Sequence, residues 1–108
     1  MEPLVWDQGN APHLTRAKGA GQRRVTVAEV DGLWASARFT VVSYEYRLAD
    51  GSSELQIRLI GRTPAGRLLT VACQLVTVEG VERYRPITAW DAARGEVAAY
   101  LEDYGDDD

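Results

Sequence analysis

The chain has 108 residues, 45% of them hydrophobic, and a formal net charge of −4 at neutral pH. This length and composition predict one globular domain that buries roughly two-thirds of its unfolded surface and needs neither a disulfide nor a metal ion to fold. A single cysteine excludes an intramolecular disulfide, and no signal peptide or apolar run of about 18 residues is present. We therefore expect a cytoplasmic protein that does not enter a membrane.

The negative charge is concentrated at one end of the chain. Residues 102–108 are rich in acidic side chains, whereas residues 1–101 are close to neutral. All basic residues except Lys18 are arginines, which suit bidentate contacts with phosphate. We therefore expect a single domain at 1–101 and an acidic C-terminal tail at 102–108, and the net charge alone does not exclude RNA as a partner.

The N-terminal third predicts one short strand and two helices. Asn10 is a favourable N-cap for the first helix. Thr26 and Glu29 have the spacing of a capping box, in which side chain and backbone bond reciprocally at the start of a helix. The predicted elements are an edge strand at 3–7, a helix from Asn10 to about Lys18, and a helix from Thr26 to about Ser36.

From residue 38 the apolar pattern changes to the two-residue period of strands. Short turn sequences separate the runs: Asp50–Gly51, a four-residue loop at 63–66, and Glu79–Gly80. Short connections predict strands that are antiparallel neighbours, and helices placed before and after them indicate an α+β fold. The predicted elements are strands at 38–48, 53–62, 67–78 and 81–89, forming a four-stranded antiparallel meander, and a C-terminal helix from about Asp91 that packs on the sheet.

Hairpin geometry predicts which arginines share a face of the sheet. With a loop at 63–66, Arg62 and Arg67 stand directly opposite each other, and opposed residues point to the same face. Arg58 lies four residues before Arg62 on the same strand and joins them. Two such arginines could hold a phosphate, although two solvated arginines paired with nearby acids would look the same in the sequence.

The turn at Glu79–Gly80 extends this prediction to the last strand. It places Tyr84 and Thr88 on the face of Arg62 and Arg67. A β-bulge would exchange these assignments, and Pro86, which cannot donate a hydrogen bond, requires an edge strand or an irregularity. The opposite face is predicted to carry Arg83 and Arg85.

Four pieces of the sequence, in the correct order, resemble the BrnT-type toxins of bacterial toxin–antitoxin pairs. The longest piece is similar to the pattern R-x-x-x-G-R-[ST]-x-x-G-R-x-L of that family. The pieces are Val5-Trp6-Asp7 followed by Asn10, the stretch RLIGRTPAGRLLT at 58–70, the stretch RYRPITAW at 83–90, and Glu96 with Tyr100.

The resemblance implies a RelE-like fold and metal-independent cleavage of RNA. It also implies a cognate antitoxin as partner, commonly one with a ribbon-helix-helix DNA-binding domain. It assigns Arg62 and Arg67 as phosphate-contacting residues, with Glu96 and Tyr100 as contributors from the last helix. No metal-ligand or cofactor-binding motif is present in the sequence, so we expect no metal and no cofactor.

Several further residues are candidates for RNA binding, each with a plainer alternative. Trp90 stands where many relatives have arginine; it could stack on a base or anchor the last helix in the core. His13, the single histidine, could act as an acid or base or be an ordinary surface residue. The RNA-binding candidates are Arg58, Lys18, Tyr84, Trp90 and His13.

Two functions remain open at this level, beside the alternative that the chain is an unrelated small α+β protein whose hairpins resemble the family by chance. The first is a ribonuclease toxin that cleaves RNA without metal and is neutralised by its antitoxin. The second is a catalytically impaired relative that retains the fold as a protein-interaction module. The near-neutral body and the replacement at Trp90 favour the second, and the ordered resemblance favours the first.

Overall fold

The computed structural model describes residues 2–14 and 24–105. Within these ranges the chain forms an α+β fold. The elements are α1 (Ala11–Leu14), α2 (Val27–Ser36), β1 (Phe39–Arg47), β2 (Ser53–Arg62), β3 (Leu68–Val78), β4 (Val81–Asp91) and α3 (Arg94–Tyr104). The predicted extension of the first helix to Lys18 and the end of the acidic tail lie outside the described residues. No helix in the described part of the chain is long and apolar enough to cross a membrane.

The four strands form one antiparallel sheet in the order β1-β2-β3-β4, as the short connections predict. One face packs against α1 and α2 and is here called the α2 face. Its core comprises apolar residues at alternate strand positions together with side chains from the helices: Ile57, Leu59, Leu69, Val71, Cys73 and Ala89 with Leu14, Val25, Val30 and Leu33. The other face carries α3 at one end and is here called the α3 face.

Helix α2 begins where the sequence predicts. The Thr26 hydroxyl accepts a hydrogen bond from the Glu29 backbone at 3.1 Å, and the Glu29 carboxylate accepts one from the Thr26 backbone at 3.0 Å. The helix ends at Ser36, and Ala37 adopts the left-handed conformation that commonly closes a helix. Local capping chemistry thus determines both ends of α2.

The predicted edge strand at 3–7 is wrong. Residues 2–7 have no regular secondary structure, although the Val5 N–H donates to the Tyr84 carbonyl at 2.9 Å. Pro3 cannot donate to a ladder, and its carbonyl accepts from the Arg83 side chain at 2.9 Å. Side-chain contacts and one backbone hydrogen bond, rather than a strand ladder, therefore hold this segment beside β4.

Asn10 has a larger role than the predicted helix cap. It is buried, and its Nδ2 donates to the carbonyls of Val5 and Pro86, each at 2.8 Å. Its Oδ1 accepts from the Asp7 backbone at 2.7 Å. One amide group thus joins the N-terminal segment to β4.

The β2–β3 register is offset by one residue from the prediction, so the predicted pairing of Arg62 with Arg67 is wrong. Arg62 pairs with Leu68, and the Thr63 N–H donates to the Arg67 carbonyl at 2.8 Å. The loop proper is Pro64–Gly66, and Gly66 has φ +92°, the left-handed value that three-residue hairpin loops require. Because side chains alternate along a strand, a shift of one residue moves Arg67 to the α2 face while Arg62 remains on the α3 face.

A β-bulge separates Tyr84 from Thr88, which were predicted to share a face. Ala72 pairs with Thr88, but Cys73 pairs with Pro86, leaving one extra residue in β4. The bulge lies at the residue that cannot donate to the ladder. Tyr84 consequently lies on the α2 face, whereas Thr88 lies on the α3 face. As Pro86 suggests, β4 is both an edge strand and irregular.

Helix α3 begins at Arg94, three residues later than predicted. Strand β4 continues to Asp91, whose carboxylate is held by Arg67 at 2.7 Å instead of capping a helix. The Ala93 N–H donates to the Glu96 carboxylate at 2.8 Å. The helix start is therefore fixed by Glu96, which also points towards the sheet.

Candidate functional site

Five of the predicted site residues converge on the α3 face, at the end of the sheet that α3 covers. Two come from β2, one from β4 and two from α3. Their contacts include an ion pair between strand and helix and two stacked guanidinium groups. The five are Arg58, Arg62, Trp90, Glu96 and Tyr100.

Arg58 is held in one orientation by two aromatic rings, a carboxylate and a side-chain amide. Its guanidinium carbon lies 4.4 Å from the ring centroid of Tyr44 and 5.3 Å from that of Trp90. Its Nη1 donates to Glu96 at 3.3 Å, and its Nε donates to Gln56 at 3.1 Å. The side chain is still 30% exposed. An arginine fixed in this way loses little further conformational freedom when it binds an anion.

Tyr44 and Gln56 belong to this cluster but were not selected from the sequence. Val42 pairs with Arg58 in the β1–β2 ladder, so Tyr44 is the diagonal neighbour of Arg58 on the same face. Gln56 lies two residues before Arg58 on β2. In the observed β1–β2 register Tyr44 lies opposite Gln56, so both side chains share the face of Arg58.

Glu96 organises the cluster and remains ionised at neutral pH. It accepts hydrogen bonds from the Trp90 indole at 3.0 Å and the Ala93 backbone at 2.8 Å, and it pairs with Arg58. Burial acts to raise the pKa of Glu96, but the hydrogen bonds from Ala93 and Trp90 and the charge of Arg58 hold it below its ordinary value. A carboxylate in this state cannot donate a proton; it orients Arg58 and Trp90.

Arg62 lies over the ring of Tyr100, with its guanidinium carbon 5.7 Å from the ring centroid. Its Nη1 also donates to the Gly66 carbonyl at 3.0 Å. Tyr100 is fully buried, and its hydroxyl has no hydrogen-bond partner among the described residues. The Tyr100 ring therefore lies on the buried side of Arg62 and exposes no group to solvent.

A third arginine follows the same pattern and was missed by sequence reasoning. Arg38 precedes β1, and its guanidinium carbon lies 5.2 Å from the ring centroid of Tyr104 on α3. Phe39, the next residue, pairs with Gly61 beside Arg62. Arg38, Arg62 and Arg58, each stacked on an aromatic ring, are here called the arginine row. The sequence gives no local signal for Arg38, because its partner lies 66 residues away.

Arg67 lies on the other side of the sheet in a different setting. It donates to both oxygens of Asp91 at 2.7 and 3.2 Å, to Glu29 at 3.1 Å, and to the Arg24 carbonyl at 2.7 Å. Its side chain is only 11% exposed. The hydrogen bond to Asp91 raises the pKa of Arg67 despite burial. This arginine ties α2 and the end of β4 to the β2–β3 loop.

The remaining candidates are also away from the arginine row. Tyr84 is half-buried on the α2 face, with its ring edge-on to Trp34 at 5.5 Å. His13 is exposed on α1, whose neighbour Leu14 belongs to the α2-face core. Lys18 lies outside the described residues. Of the RNA-binding candidates, Arg58 and Trp90 are therefore placed together.

The described residues contain neither a cluster of metal-ligating side chains nor an exposed thiol. Within residues 2–14 and 24–105, no three His, Cys, Asp or Glu side chains are grouped so that they could hold a metal ion. Cys73 is fully buried, and desolvation raises the pKa of its thiol from 9.0 to about 12. At neutral pH it is a small core residue and not a nucleophile.

No protein-family model matches the chain, and no curated protein or solved structure matches it with statistical significance.

Proposed function

We propose that the protein binds single-stranded RNA along the arginine row on the α3 face. The observation that carries this proposal is the stacking of Arg38, Arg62 and Arg58 on aromatic rings along one face. Guanidinium groups held in a fixed orientation suit contacts with phosphate. Tyr44, which is 42% exposed beside Arg58, offers a ring on which a base can stack.

We further propose that the protein cleaves the bound RNA without a metal ion. The 2′-hydroxyl of the ribose would lose its proton to water and attack the adjacent phosphorus, and the 5′-oxygen of the next nucleotide would leave and take a proton from water, giving a 2′,3′-cyclic phosphate and a 5′-hydroxyl end. Negative charge builds up on the phosphate oxygens during this step, and Arg58 and Arg62 are positioned to stabilise it. Glu96 would contribute by holding Arg58, and Tyr100 by supporting Arg62.

The proposed biological setting is a toxin–antitoxin pair, which rests on the resemblance to BrnT-type proteins. In that setting the toxin acts on RNA in the cytoplasm and is neutralised by a cognate antitoxin, expected to be of the ribbon-helix-helix type. Induction of the protein alone should arrest growth, and coexpression of the adjacent antitoxin should restore it. If cells that fully express the folded protein grew normally and their RNA stayed intact, the protein would not be the toxin of such a pair.

RNA binding can be tested by fluorescence anisotropy with a labelled single-stranded oligonucleotide over a range of salt concentrations. Arg58→Ala should weaken binding and lower the slope of log K against log salt by about 0.7, the value for one phosphate contact on a single strand. Arg47→Ala is the matched control, because Arg47 is exposed at the far end of β1. Equal losses in both variants would show that binding follows net charge and not the arginine row.

Cleavage needs a separate measurement, because a variant that no longer cleaves RNA can still bind it. Wild-type protein should cut RNA in the presence of EDTA and leave 2′,3′-cyclic phosphate ends, and Arg62→Ala should cut at least about a hundredfold more slowly if it loses one charge-stabilising group. Cleavage that requires an added metal ion would contradict the proposed chemistry.

A non-catalytic interaction module is the second candidate, and the placement of two residues favours it. Arg67, which the resemblance assigns to phosphate, is held by Asp91 and Glu29 on the opposite face. Glu96 already accepts from three donors. For this candidate, the product of the adjacent gene should bind the protein tightly while RNA remains uncut at every protein concentration.

A further inference from the structure

The two β-hairpins separate at the end of the sheet opposite α3. The β2–β3 ladder runs from Arg62–Leu68 to Ile57–Cys73 and ends there, although β2 begins at Ser53 and β3 continues to Val78. The β1–β2 and β3–β4 ladders continue to the hairpin ends. Residues 53–56 and 74–78 are here called the two arms of the fork.

The bulge beside Pro86 explains where the fork opens. It lies between Ala72 and Cys73, and the β2–β3 ladder ends at Cys73. A bulge bends its strand and increases the local twist, so the outer part of the β3–β4 hairpin turns away from β2. The fork therefore begins at the same position as the bulge of the edge strand.

The fork encloses a cleft with a volume of about 380 Å³. Leu55 and Leu75 line it from opposite arms and are 49% and 43% exposed, an unusual environment for two central-strand leucines. Alternate residues of each arm direct backbone N–H and C=O groups away from their hairpin partner and into the cleft. Such edges pair readily with another extended chain.

The surroundings of the cleft are acidic. Exposed carboxylates lie on both hairpins near their ends, and Glu54 lines the cleft itself. Of the arginines nearby, Arg85 is ion-paired with Asp7, and Arg83 donates to the carbonyl of Pro3. Arg47 is the exposed base at this end of β1. The carboxylates are those of Glu45, Asp50, Glu54, Glu79 and Glu82.

We propose that the fork binds an extended, positively charged segment of a partner protein by strand addition. Apolar side chains at alternate positions of the segment lie between Leu55 and Leu75, and its basic side chains face the carboxylates around the cleft. The backbone of the segment pairs with the unpaired arms, which is the usual source of affinity in strand addition. This surface is separate from the arginine row and lies at the other end of the sheet, so it does not depend on RNA binding.

The probe for the test is a blocked synthetic peptide of about seven residues, the length of an ordinary strand, with alternating lysine and valine. Its binding should protect the amides of residues 53–56 and 74–78 from hydrogen exchange. A peptide with glutamate in place of lysine, and one N-methylated at alternate residues, should each bind at least about tenfold more weakly, because one loses charge complementarity and the other loses backbone donors. Equal binding of the N-methylated peptide, or protection elsewhere in the sheet, would overturn the proposal.

A matched pair of variants locates the site. Leu75→Lys should lower the affinity for the lysine–valine peptide about tenfold, because it removes an apolar contact with the valines and adds a positive charge to a cleft that binds a positively charged segment. Val41→Lys is the control: Val41 is 46% exposed on β1, where it pairs with Leu59 inside the intact ladder. Its affinity should stay within about twofold of wild type, since an isolated surface substitution has little effect. Equal effects would overturn the assignment.

Two further measurements separate this proposal from its competitors. Leu75→Lys should leave RNA binding unchanged, so that a failure at the fork and a failure at the arginine row are distinguishable. Sedimentation of the protein without peptide should show a monomer. A dimer in which residues 53–56 and 74–78 are already protected would mean that a second copy fills the fork, and would overturn the proposal.

Discussion

At the scale of single residues, the arginines of this protein have two different tasks. Arg67 bonds to two carboxylates and a backbone carbonyl and is nearly buried. Arg58 shares one carboxylate but retains exposed surface between two aromatic rings. The N–H groups of Arg67 are used in hydrogen bonds within the protein, whereas the contacts of Arg58 orient its guanidinium group and leave part of it exposed. Arginine content alone therefore says little about how many phosphates such a surface can bind.

We predict that Arg67→Ala destabilises the protein by about 1–3 kcal/mol, because Glu29 and Asp91 lose a charged hydrogen-bond partner that holds α2 to the loop. Arg47→Ala, an exposed control, should change the free energy of unfolding by no more than about 0.5 kcal/mol. Urea unfolding of both variants measures the difference. If Arg67→Ala kept wild-type stability and lost RNA cleavage, Arg67 would have the catalytic role that the family resemblance implies.

At the scale of elements, α2 and α3 each contain one glycine, and their surroundings differ. A Cβ on Gly32 of α2 would lie 2.7 Å from Cδ of Pro64 in the β2–β3 loop. A Cβ on Gly95 of α3 would meet no atom within 4 Å. Gly32 thus permits α2 to approach the loop that Arg67 also holds. Gly95 has no such role.

This contrast predicts opposite effects for two chemically identical substitutions. Gly95→Ala should stabilise the protein by about 0.4–1 kcal/mol, because it restricts the unfolded chain and adds a better helix former. Gly32→Ala has the same stabilising effect through the unfolded chain. Its methyl group, however, would be forced against the rigid proline ring, which costs about 1–3 kcal/mol, so we expect net destabilisation. Thermal unfolding compares the two directly. A stabilised Gly32→Ala protein would mean that the loop moves aside at no cost.

At the scale of the whole molecule, carboxylates with lowered pKa values form the hydrogen bonds and ion pairs that hold separate elements on the sheet. Hydrogen bonds from Arg85 lower the pKa of Asp7 from 3.8 to about 2 and hold the N-terminal segment at β4. Despite burial, hydrogen bonds from Thr26 and Arg67 lower the pKa of Glu29 on α2. Glu96, also below its ordinary value, fastens α3. The helices and the N-terminal segment therefore depend on ionised acids.

The protein should consequently lose stability in acid. A carboxylate whose pKa is lower in the folded state contributes its full stabilisation above the ordinary pKa, and the contribution disappears as the pH falls through the folded-state pKa. The urea midpoint should therefore decline as the pH falls below about 4.5, the ordinary value for glutamate. Asp7→Asn should reduce the part of the decline between pH 3.8 and about 2. A midpoint that is constant down to pH 2 would contradict this expectation.

Local chemistry made much of the fold predictable from sequence. The Thr26–Glu29 capping box predicts the start of α2, and the turn sequences predict the four-strand meander with β2 at its observed bounds. Glu79–Gly80 forms a tight turn in which both residues have positive φ, as a two-residue hairpin turn requires. Each of these features depends on residues only a few positions apart.

The composition of the candidate site was only partly predictable. Arg58, Arg62 and Trp90 were selected and do converge with α3. Arg38 and its partner Tyr104 were missed because they meet only when α3 packs across the sheet. Sequence spacing cannot supply such a contact, since it depends on how a helix crosses distant strands.

By itself, the sequence determined helix α2, the four strands of the sheet and their antiparallel pairing, because capping and turn formation are local. The tertiary structure decided which face each arginine occupies. A one-residue offset in the β2–β3 register places Arg67 on the α2 face, and one bulge opposite Cys73 separates Tyr84 from Thr88 at the point where the fork begins. Strand side chains alternate with a period of two, so a difference of one residue, invisible in the apolar pattern, reverses the face on which a side chain acts.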